Sequence, residues 1–182
     1  MKQIPNILSV LRLFMIPAFV ITYFEMGDGK YVFIPAGIYA LAWITDVLDG
    51  YLARRNNWIT DVGKILDPLA DKAMQLAAIL CFTFENPIFL FILIPFLIKE
   101  FGMLFGSMFI MTKKNIVVQA SWYGKFSTAA LFLCAFTRTI VRGNAVLDIC
   151  LSLLMFSLVA FSLLMYYFKD FKGKYNLKLF KN

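Results

Sequence analysis

Residues 46–71 read DVLDGYLARRNNWITDVGKILDPLAD, and four of the acids in this stretch form two pairs. Asp46 and Asp49 are three residues apart, and Asp67 and Asp71 are four apart. Residues at these spacings lie on one face of an α-helix, so each pair shares a helix face. The polar turn around residues 55–58 predicts that the two helices are antiparallel neighbours whose acidic faces can meet.

Long apolar runs lie on both sides of this stretch. Of the 182 residues, 61% are hydrophobic and 16% are charged, whereas soluble domains are about half apolar and a quarter charged. Each run has about the 20 residues that cross a bilayer core. Six membrane-spanning helices are predicted: Ile7–Phe24, Tyr31–Leu52, Thr60–Phe84, Pro87–Met111, Ser121–Ile140 and Ala145–Phe168. The sequence therefore predicts an all-α integral membrane protein. We expect a single six-helix transmembrane domain over residues 1–182, with a short amphipathic N-terminal segment and a basic tail at 169–182.

The net charge of +7 is unevenly placed along these predicted spans. Lysines and arginines collect on the side that holds both termini, and the opposite side has only Lys30, Arg138 and Arg142. The positive-inside rule therefore predicts that both termini, and the acidic pairs beside them, face the cytoplasm. The basic tail is expected to lie on anionic headgroups. Topology explains the charge, so nucleic acid is not an expected partner.

The chain contains no histidine and only three cysteines. Cys81, Cys134 and Cys150 lie in apolar stretches without paired spacing, as is typical of packing residues. Without the commonest general base and metal ligand, the composition argues against zinc, haem and Cys–His chemistry. Carboxylates are left as the groups that can carry a reaction.

Acids inside membrane spans are costly and usually functional. Four facing carboxylates cannot all stay ionised without counter-charge, and two divalent cations would supply it. Ligands that are all oxygen favour Mg²⁺, Mn²⁺ or Ca²⁺, and paired ions of this kind act in displacement at phosphorus. The alternatives are a proton or cation relay, or ion pairs with Arg54, Lys64 and Lys72.

Small residues extend both acidic faces. Gly50 and Ala53 continue the first face and Gly63 the second, which leaves room for a nucleotide between the helices. The alternative is that they only let the helix backbones pack closely.

Together these residues resemble the signature of the CDP-alcohol phosphatidyltransferase family, D-x2-D-G-x2-A-R-x8-G-x3-D-x3-D. The stretch matches it at every fixed position: Asp46, Asp49, Gly50, Ala53, Arg54, Gly63, Asp67 and Asp71. The opening PNILSVLR of residues 5–12 also resembles bacterial phosphatidylglycerophosphate synthases and cardiolipin synthases of that family.

The resemblance implies a homodimer of six-helix subunits in the bacterial cell membrane, with a cytoplasmic cavity open to lipid. It implies that Asp46, Asp49 and Asp67 hold two ions, Mg²⁺ or Mn²⁺, that grip the diphosphate of CDP-diacylglycerol. Asp71 would complete the metal site and accept the proton of the attacking hydroxyl, and CMP would leave. The residues expected to bind the CDP-lipid are Asn6, Arg12, Gly50, Ala53, Arg54 and Gly63. For Asn6 and Arg12, the alternative is contact with lipid headgroups by snorkelling.

The acceptor alcohol remains open between two substrates. Phosphatidylglycerophosphate synthases, which use glycerol 3-phosphate, typically carry G-K-x-K-T in the fifth helix, where this chain has Ser127 in place of the second lysine. Ser107 likewise replaces an arginine in the fourth helix. Cardiolipin synthases, which use phosphatidylglycerol, also have an uncharged residue at the position of Ser127. We expect glycerol 3-phosphate, with phosphatidylglycerol as the alternative; the candidate acceptor-binding residues are Lys125, Lys99, Lys113 and Lys114.

Lys99 has a structural alternative of its own. Adjacent helical residues point about 100° apart, so Lys99 is not expected to pair simply with its neighbour Glu100. It is expected either to reach the active cavity or to make a structural pair with Glu100 of a neighbour or with another buried group.

A small cation transporter is the alternative from a different functional class. It would use the same four aspartates as a cation path, with charge near the middle of the bilayer. The acids lie instead at one predicted interface beside a basic rim, which favours an enzyme.

Overall fold

The structure, a computed structural model, describes residues 4–26, 31–56, 61–114 and 122–166. At 4–6, 52–54, 56, 61–68, 103–114 and 122–123 it describes the backbone alone.

These residues form six α-helices, and every predicted apolar run corresponds to one of them. They are α1 (Ile4–Met26), α2 (Phe33–Asn56), α3 (Asp61–Glu85), α4 (Leu90–Lys114), α5 (Trp122–Ile140) and α6 (Ala145–Met165). A short 3₁₀ turn, Pro87–Phe89, precedes α4. No strand occurs within the described ranges, and the all-α prediction is confirmed. That all six helices cross a membrane stays a prediction.

The ends of α3 and α5 follow from local chemistry. Asn86 precedes Pro87, and a residue before proline is pushed out of the helical region, so α3 ends at Glu85. Between α5 and α6 the chain turns at Gly143, whose φ of 76° is costly for residues with a side chain. Both connections are therefore short.

Two helices are long and apolar enough to cross a membrane by length and composition. They are Ile7–Met26 within α1 and Ala145–Met165, which is α6. Their outer faces carry exposed large apolar side chains such as Phe14, Val146 and Leu153.

The chain divides into two compact units. The first contains α1, α2, α3 and the segment Ala135–Ala145, and the second contains α4, the earlier part of α5 and most of α6. In the first unit α1 packs against both α2 and α3, and α2 also contacts α3. Buried alanines such as Ala42, Ala70 and Ala78 let these helices approach closely.

An aromatic core holds the first unit together. The ring of Phe19 on α1 lies 5.4 Å from that of Tyr39 on α2, and the ring of Tyr23 lies 5.8 Å from that of Phe82 on α3. Tilted ring pairs at these distances stabilise a core beyond the area they bury. The packing fixes α1 relative to α2, and this sets the position of the acidic face of α2.

Candidate active site

The first acidic pair meets a buried arginine from α1. Arg12 Nη1 donates to Asp46 Oδ1 at 2.8 Å, and Arg12 Nη2 donates to Asp49 Oδ2. Both contacts are salt bridges. One guanidinium can reach both carboxylates only if they lie on the same side of α2, so the predicted common face of Asp46 and Asp49 is confirmed.

Burial differs strongly across this group. The Arg12 side chain is 1% exposed and that of Asp49 is 2% exposed, whereas Asp46 is 34% exposed. The snorkelling alternative requires Arg12 to extend to lipid headgroups. In this structure the Arg12 side chain is buried instead. The open side of the site is at Asp46, so a ligand from solution would meet Asp46 before Asp49.

The second acidic pair lies on α3, in the same unit. Asp71 is partly buried and follows the fully buried Ala70, while the side chain of Asp67 lies outside the described residues. Among the side chains that the structure describes, no group of three or more potential metal ligands is gathered in one place. The meeting of all four aspartates stays a prediction.

Most of the residues predicted to bind the CDP-lipid fall outside the description of side chains. Gly50 is partly buried on α2, one residue beyond Asp49. Asn6, Ala53, Arg54 and Gly63 lie on described helices, but at these positions the structure describes the backbone alone. Only Arg12 and Gly50 of this set are described beyond their backbone.

Lys99 does pair with its sequence neighbour, which corrects the expectation from helix geometry. Its Nζ lies 3.0 Å from Glu100 Oε1, and Lys99 is almost fully buried. The ammonium also lies 5.9 Å from the centre of the Phe96 ring, one turn earlier. The angle of about 100° separates the Cβ atoms, but two long flexible side chains can bend around the helix to meet. Of the other acceptor candidates, Lys125 is exposed, and the side chains of Lys113 and Lys114 lie outside the described residues.

Ser127 packs against a neighbouring helix. It is fully buried, and its hydroxyl donates to the Leu158 carbonyl of α6 at 3.0 Å. A bond to a helix carbonyl in the neighbouring helix is a packing role. The interpretation that Ser127 replaces a phosphate-binding lysine stays a prediction, because helix periodicity does not tell which neighbour a face meets.

A polar cluster at the far end of α1 was missed by the sequence analysis. It comprises Tyr23, Glu85, Arg138 and Arg142, and we call it the Glu85 cluster. Glu85 accepts from the Tyr23 hydroxyl at 2.6 Å and from Arg138 Nη2 at 3.0 Å, and it also pairs with Arg142. Arg142 donates to the Tyr23 carbonyl at 2.8 Å and stacks over the Tyr23 ring, 4.1 Å from its centre.

The signal for this cluster was present in the sequence. Glu85 directly follows the third predicted span. Arg138 lies at the end of the fifth span and Arg142 just after it, so opposite charges share one depth. The cluster connects α1, α3 and the end of α5 within the first unit.

Comparison with known proteins identifies the family of the chain. The family model described as CDP-alcohol phosphatidyltransferase matches residues 2–167. The chain belongs to this family. Three relatives are each named CDP-diacylglycerol–glycerol-3-phosphate 3-phosphatidyltransferase. The protein from Aquifex aeolicus is 36% identical over 131 residues, 69% of this chain and 69% of its own length. The protein from Haemophilus influenzae is 32% identical over 170 residues, 85% of this chain and 84% of its own length. The protein from Treponema pallidum is 34% identical over 128 residues, 68% of this chain and 58% of its own length.

Membership of the CDP-alcohol phosphatidyltransferase family bears on two earlier expectations. It favours an enzyme over the small cation transporter, because the match spans α1 to α6 and includes the whole acidic signature. With the two membrane-capable helices, it also makes the chain a membrane protein.

The described residues fit a divalent cation at the α2 pair. Asp46 and Asp49 offer oxygen ligands only, as Mg²⁺ and Mn²⁺ prefer. The same two carboxylates already bind a cationic group, the guanidinium of Arg12. The site is thus built to hold positive charge.

Proposed function

We propose that this chain transfers a phosphatidyl group from CDP-diacylglycerol to glycerol 3-phosphate, giving phosphatidylglycerophosphate and CMP. The observation that carries the proposal is the pair Asp46 and Asp49, brought to one cation-binding point within the family signature. The names of the relatives from Aquifex aeolicus and Haemophilus influenzae support both substrates.

Two divalent cations, Mg²⁺ or Mn²⁺, are the proposed cofactors. Asp46, Asp49, Asp67 and Asp71 would hold them. When bound, such ions neutralise the phosphates of the CDP-lipid and the developing charge on the leaving CMP. Because Asp49 is buried, little water competes for its carboxylate and its interaction with a cation is screened weakly.

The remaining chemistry belongs to the chain's own side chains. Asp71 is assigned as the general base: it takes the proton of the acceptor hydroxyl as the hydroxyl oxygen bonds to the β-phosphorus. The bond from that phosphorus to the CMP oxygen breaks, and CMP leaves with the electron pair. Asn6, Arg12, Gly50, Ala53, Arg54 and Gly63 are assigned to the CDP-lipid.

Glycerol 3-phosphate is favoured over phosphatidylglycerol as the acceptor. The uncharged residues at 107 and 127 favour phosphatidylglycerol, but the Ser127 hydroxyl is engaged by the Leu158 carbonyl of α6. The names of the relatives from Aquifex aeolicus and Haemophilus influenzae support glycerol 3-phosphate. Lys125 is exposed and is a plausible contact for a soluble phosphate on chemical grounds. Lys99, Lys113 and Lys114 complete the proposed set, with Lys99 reaching the acceptor only by leaving Glu100.

We infer a multi-pass arrangement in a bacterial membrane, with the six helices forming one catalytic domain. The pattern of burial supports it. Charged residues such as Arg12, Asp49 and Lys99 are buried, while Phe14, Phe84 and Phe91 are exposed, the reverse of a soluble protein. Both termini and the site are assigned to the cytoplasm by the distribution of lysine and arginine. A homodimer is proposed from the family resemblance.

A direct assay of the product tests the proposal. Purified protein in detergent is given CDP-diacylglycerol and Mg²⁺ with either glycerol 3-phosphate or phosphatidylglycerol, and the lipid product is identified by mass. Phosphatidylglycerophosphate is expected from the first mixture, and Asp49→Asn is the inactive control. Cardiolipin from the second mixture, with no product from the first, would contradict the assignment of the acceptor.

A further inference from the structure

Arg12 binds two carboxylates in a way that the proposed reaction does not use. Its two terminal nitrogens donate to different acids, one to Asp46 Oδ1 and one to Asp49 Oδ2. The guanidinium fork suits such double recognition, and bonds of this type are among the stronger ones in proteins. Arg12 is as deeply buried as Asp49, so bulk water does not weaken the contact.

A divalent cation and this guanidinium need the same two carboxylates. Each carboxylate has two oxygens with two lone pairs each, and Arg12 contacts one oxygen of each acid, so a metal can bind the same carboxylates through other lone pairs. The two cations would then lie side by side in a buried site, where repulsion between like charges is screened weakly. Full occupancy by both is therefore unfavourable.

We propose that Arg12 is the positioning residue of the metal site, an internal counter-cation that a divalent metal displaces from at least one carboxylate. In the metal-free protein Arg12 keeps Asp46 and Asp49 together and compensates their charge. On metal binding the guanidinium gives up a carboxylate and becomes available to the diphosphate of the CDP-lipid. The inference rests on the proposed function, because that function supplies the metal.

Removing Arg12 has two opposing effects on the affinity of the site for the metal. Removal takes away a competing positive charge, which strengthens metal binding. It also lets the two carboxylates separate, which weakens binding, but they stay on one helix face three residues apart. We expect the loss of the competing charge to be the larger effect, so that metal binding becomes tighter. One charge-assisted hydrogen bond typically changes an equilibrium constant by about tenfold or more.

The experiment titrates Mn²⁺ alone into the full chain in detergent and follows free Mn²⁺ by electron paramagnetic resonance. Arg12→Gln removes the charge, Arg12→Lys keeps a cation without the fork, and Arg55→Gln is the control for net charge. Arg55 is exposed on the same helix as the acids and donates to the Tyr51 hydroxyl at 3.1 Å. Thermal unfolding of each protein, in EDTA and in Mn²⁺, gives a second readout.

The expected result is a dissociation constant for Mn²⁺ about tenfold lower in Arg12→Gln, intermediate in Arg12→Lys and near the original value in Arg55→Gln. Arg12→Gln should also unfold at a lower temperature in EDTA and gain more from Mn²⁺ than the original protein. Equal or weaker Mn²⁺ binding in Arg12→Gln overturns the inference while the proposed function stands. If Arg12→Gln does not fold, an unchanged constant in Arg12→Lys overturns it instead. If the original protein binds no Mn²⁺, the metal-dependent function fails, and the inference fails with it.

Discussion

Replacing Glu85 by glutamine should destabilise the first unit more than any exposed substitution. Glu85 is the one carboxylate named in the Glu85 cluster, and it faces Tyr23 at 2.6 Å and Arg138 at 3.0 Å in addition to Arg142. Glutamine has nearly the same shape and keeps one oxygen acceptor, but it lacks the charge that compensates the two guanidiniums.

The size of the effect can be worked from these contacts. Hydrogen bonds to a charged group contribute about 1.5–3 kcal/mol each, and breaking a buried ion pair costs about 3–5 kcal/mol. Glu85 is 24% exposed, and its amide replacement still accepts one bond, so the low end applies. We expect a loss of about 3 kcal/mol, which lowers the unfolding temperature by about 6–12 °C for a chain of this size.

The assay is thermal unfolding in detergent, followed by tryptophan fluorescence, with Glu25→Gln as the matched control. Glu25 is exposed near the same end of α1, so its substitution should stay within about 0.5 kcal/mol of the original protein. Tyr23→Phe removes only the hydroxyl, and combined with Glu85→Gln it should cost less than the sum of the two. Equal unfolding temperatures for Glu85→Gln and Glu25→Gln would refute the reasoning.

Four further predictions concern the site and the second unit. Asp46→Asn should remove most turnover and lower the unfolding temperature in EDTA, because it weakens the contact with the buried Arg12. Chelation should stop turnover in the original protein until Mg²⁺ or Mn²⁺ is added, and full activity in EDTA would contradict the metal site. Asp71→Asn should abolish transfer yet keep CDP-lipid binding, measured by thermal shift, and a loss of binding would make Asp71 mainly a metal ligand. Gly124→Ala should destabilise the protein, because a Cβ there would lie 2.6 Å from the Tyr166 hydroxyl. Tyr166→Phe should relieve that clash, and an unrelieved loss would place its cause elsewhere. Ser127→Lys should lower stability without improving use of glycerol 3-phosphate, because the hydroxyl of Ser127 bonds to α6 and would be lost. A lower Michaelis constant for glycerol 3-phosphate would support the interpretation that this position contacts the acceptor.

The helices and the shared face of Asp46 and Asp49 were predictable from the sequence. Both follow from local rules: apolar runs long enough to cross a bilayer, and a period of 3.6 residues that brings positions three apart to one side. No tertiary contact is needed for either conclusion. For the same reason the end of α3 before Pro87 could be anticipated.

The partners of those faces were not predictable in the same way. The helical period of α2 predicts that its two acids share one face. That Arg12 meets this face depends on how α1 packs against α2, which the period does not give. The same limit applies to Ser127, where the face was clear and its neighbour was not. The expectation that Lys99 does not pair with Glu100 was wrong for a different reason. The rule for adjacent residues describes the directions of their Cβ atoms and not the reach of long side chains.

The two ends of α1 carry a consequence for how the protein is made. The partners of Arg12 lie 34 and 37 residues further along the chain. Tyr23 contacts Glu85, 62 residues further along, and Arg142, 119 residues further along. A ribosome delivers these segments in order. The acidic pair can therefore be neutralised by Arg12 as soon as α2 emerges, but the contacts at the opposite end of α1 cannot form until Arg142 has been synthesised. During synthesis the Glu85 cluster is therefore completed late in the first unit, when Arg138 and Arg142 reach α1 and α3.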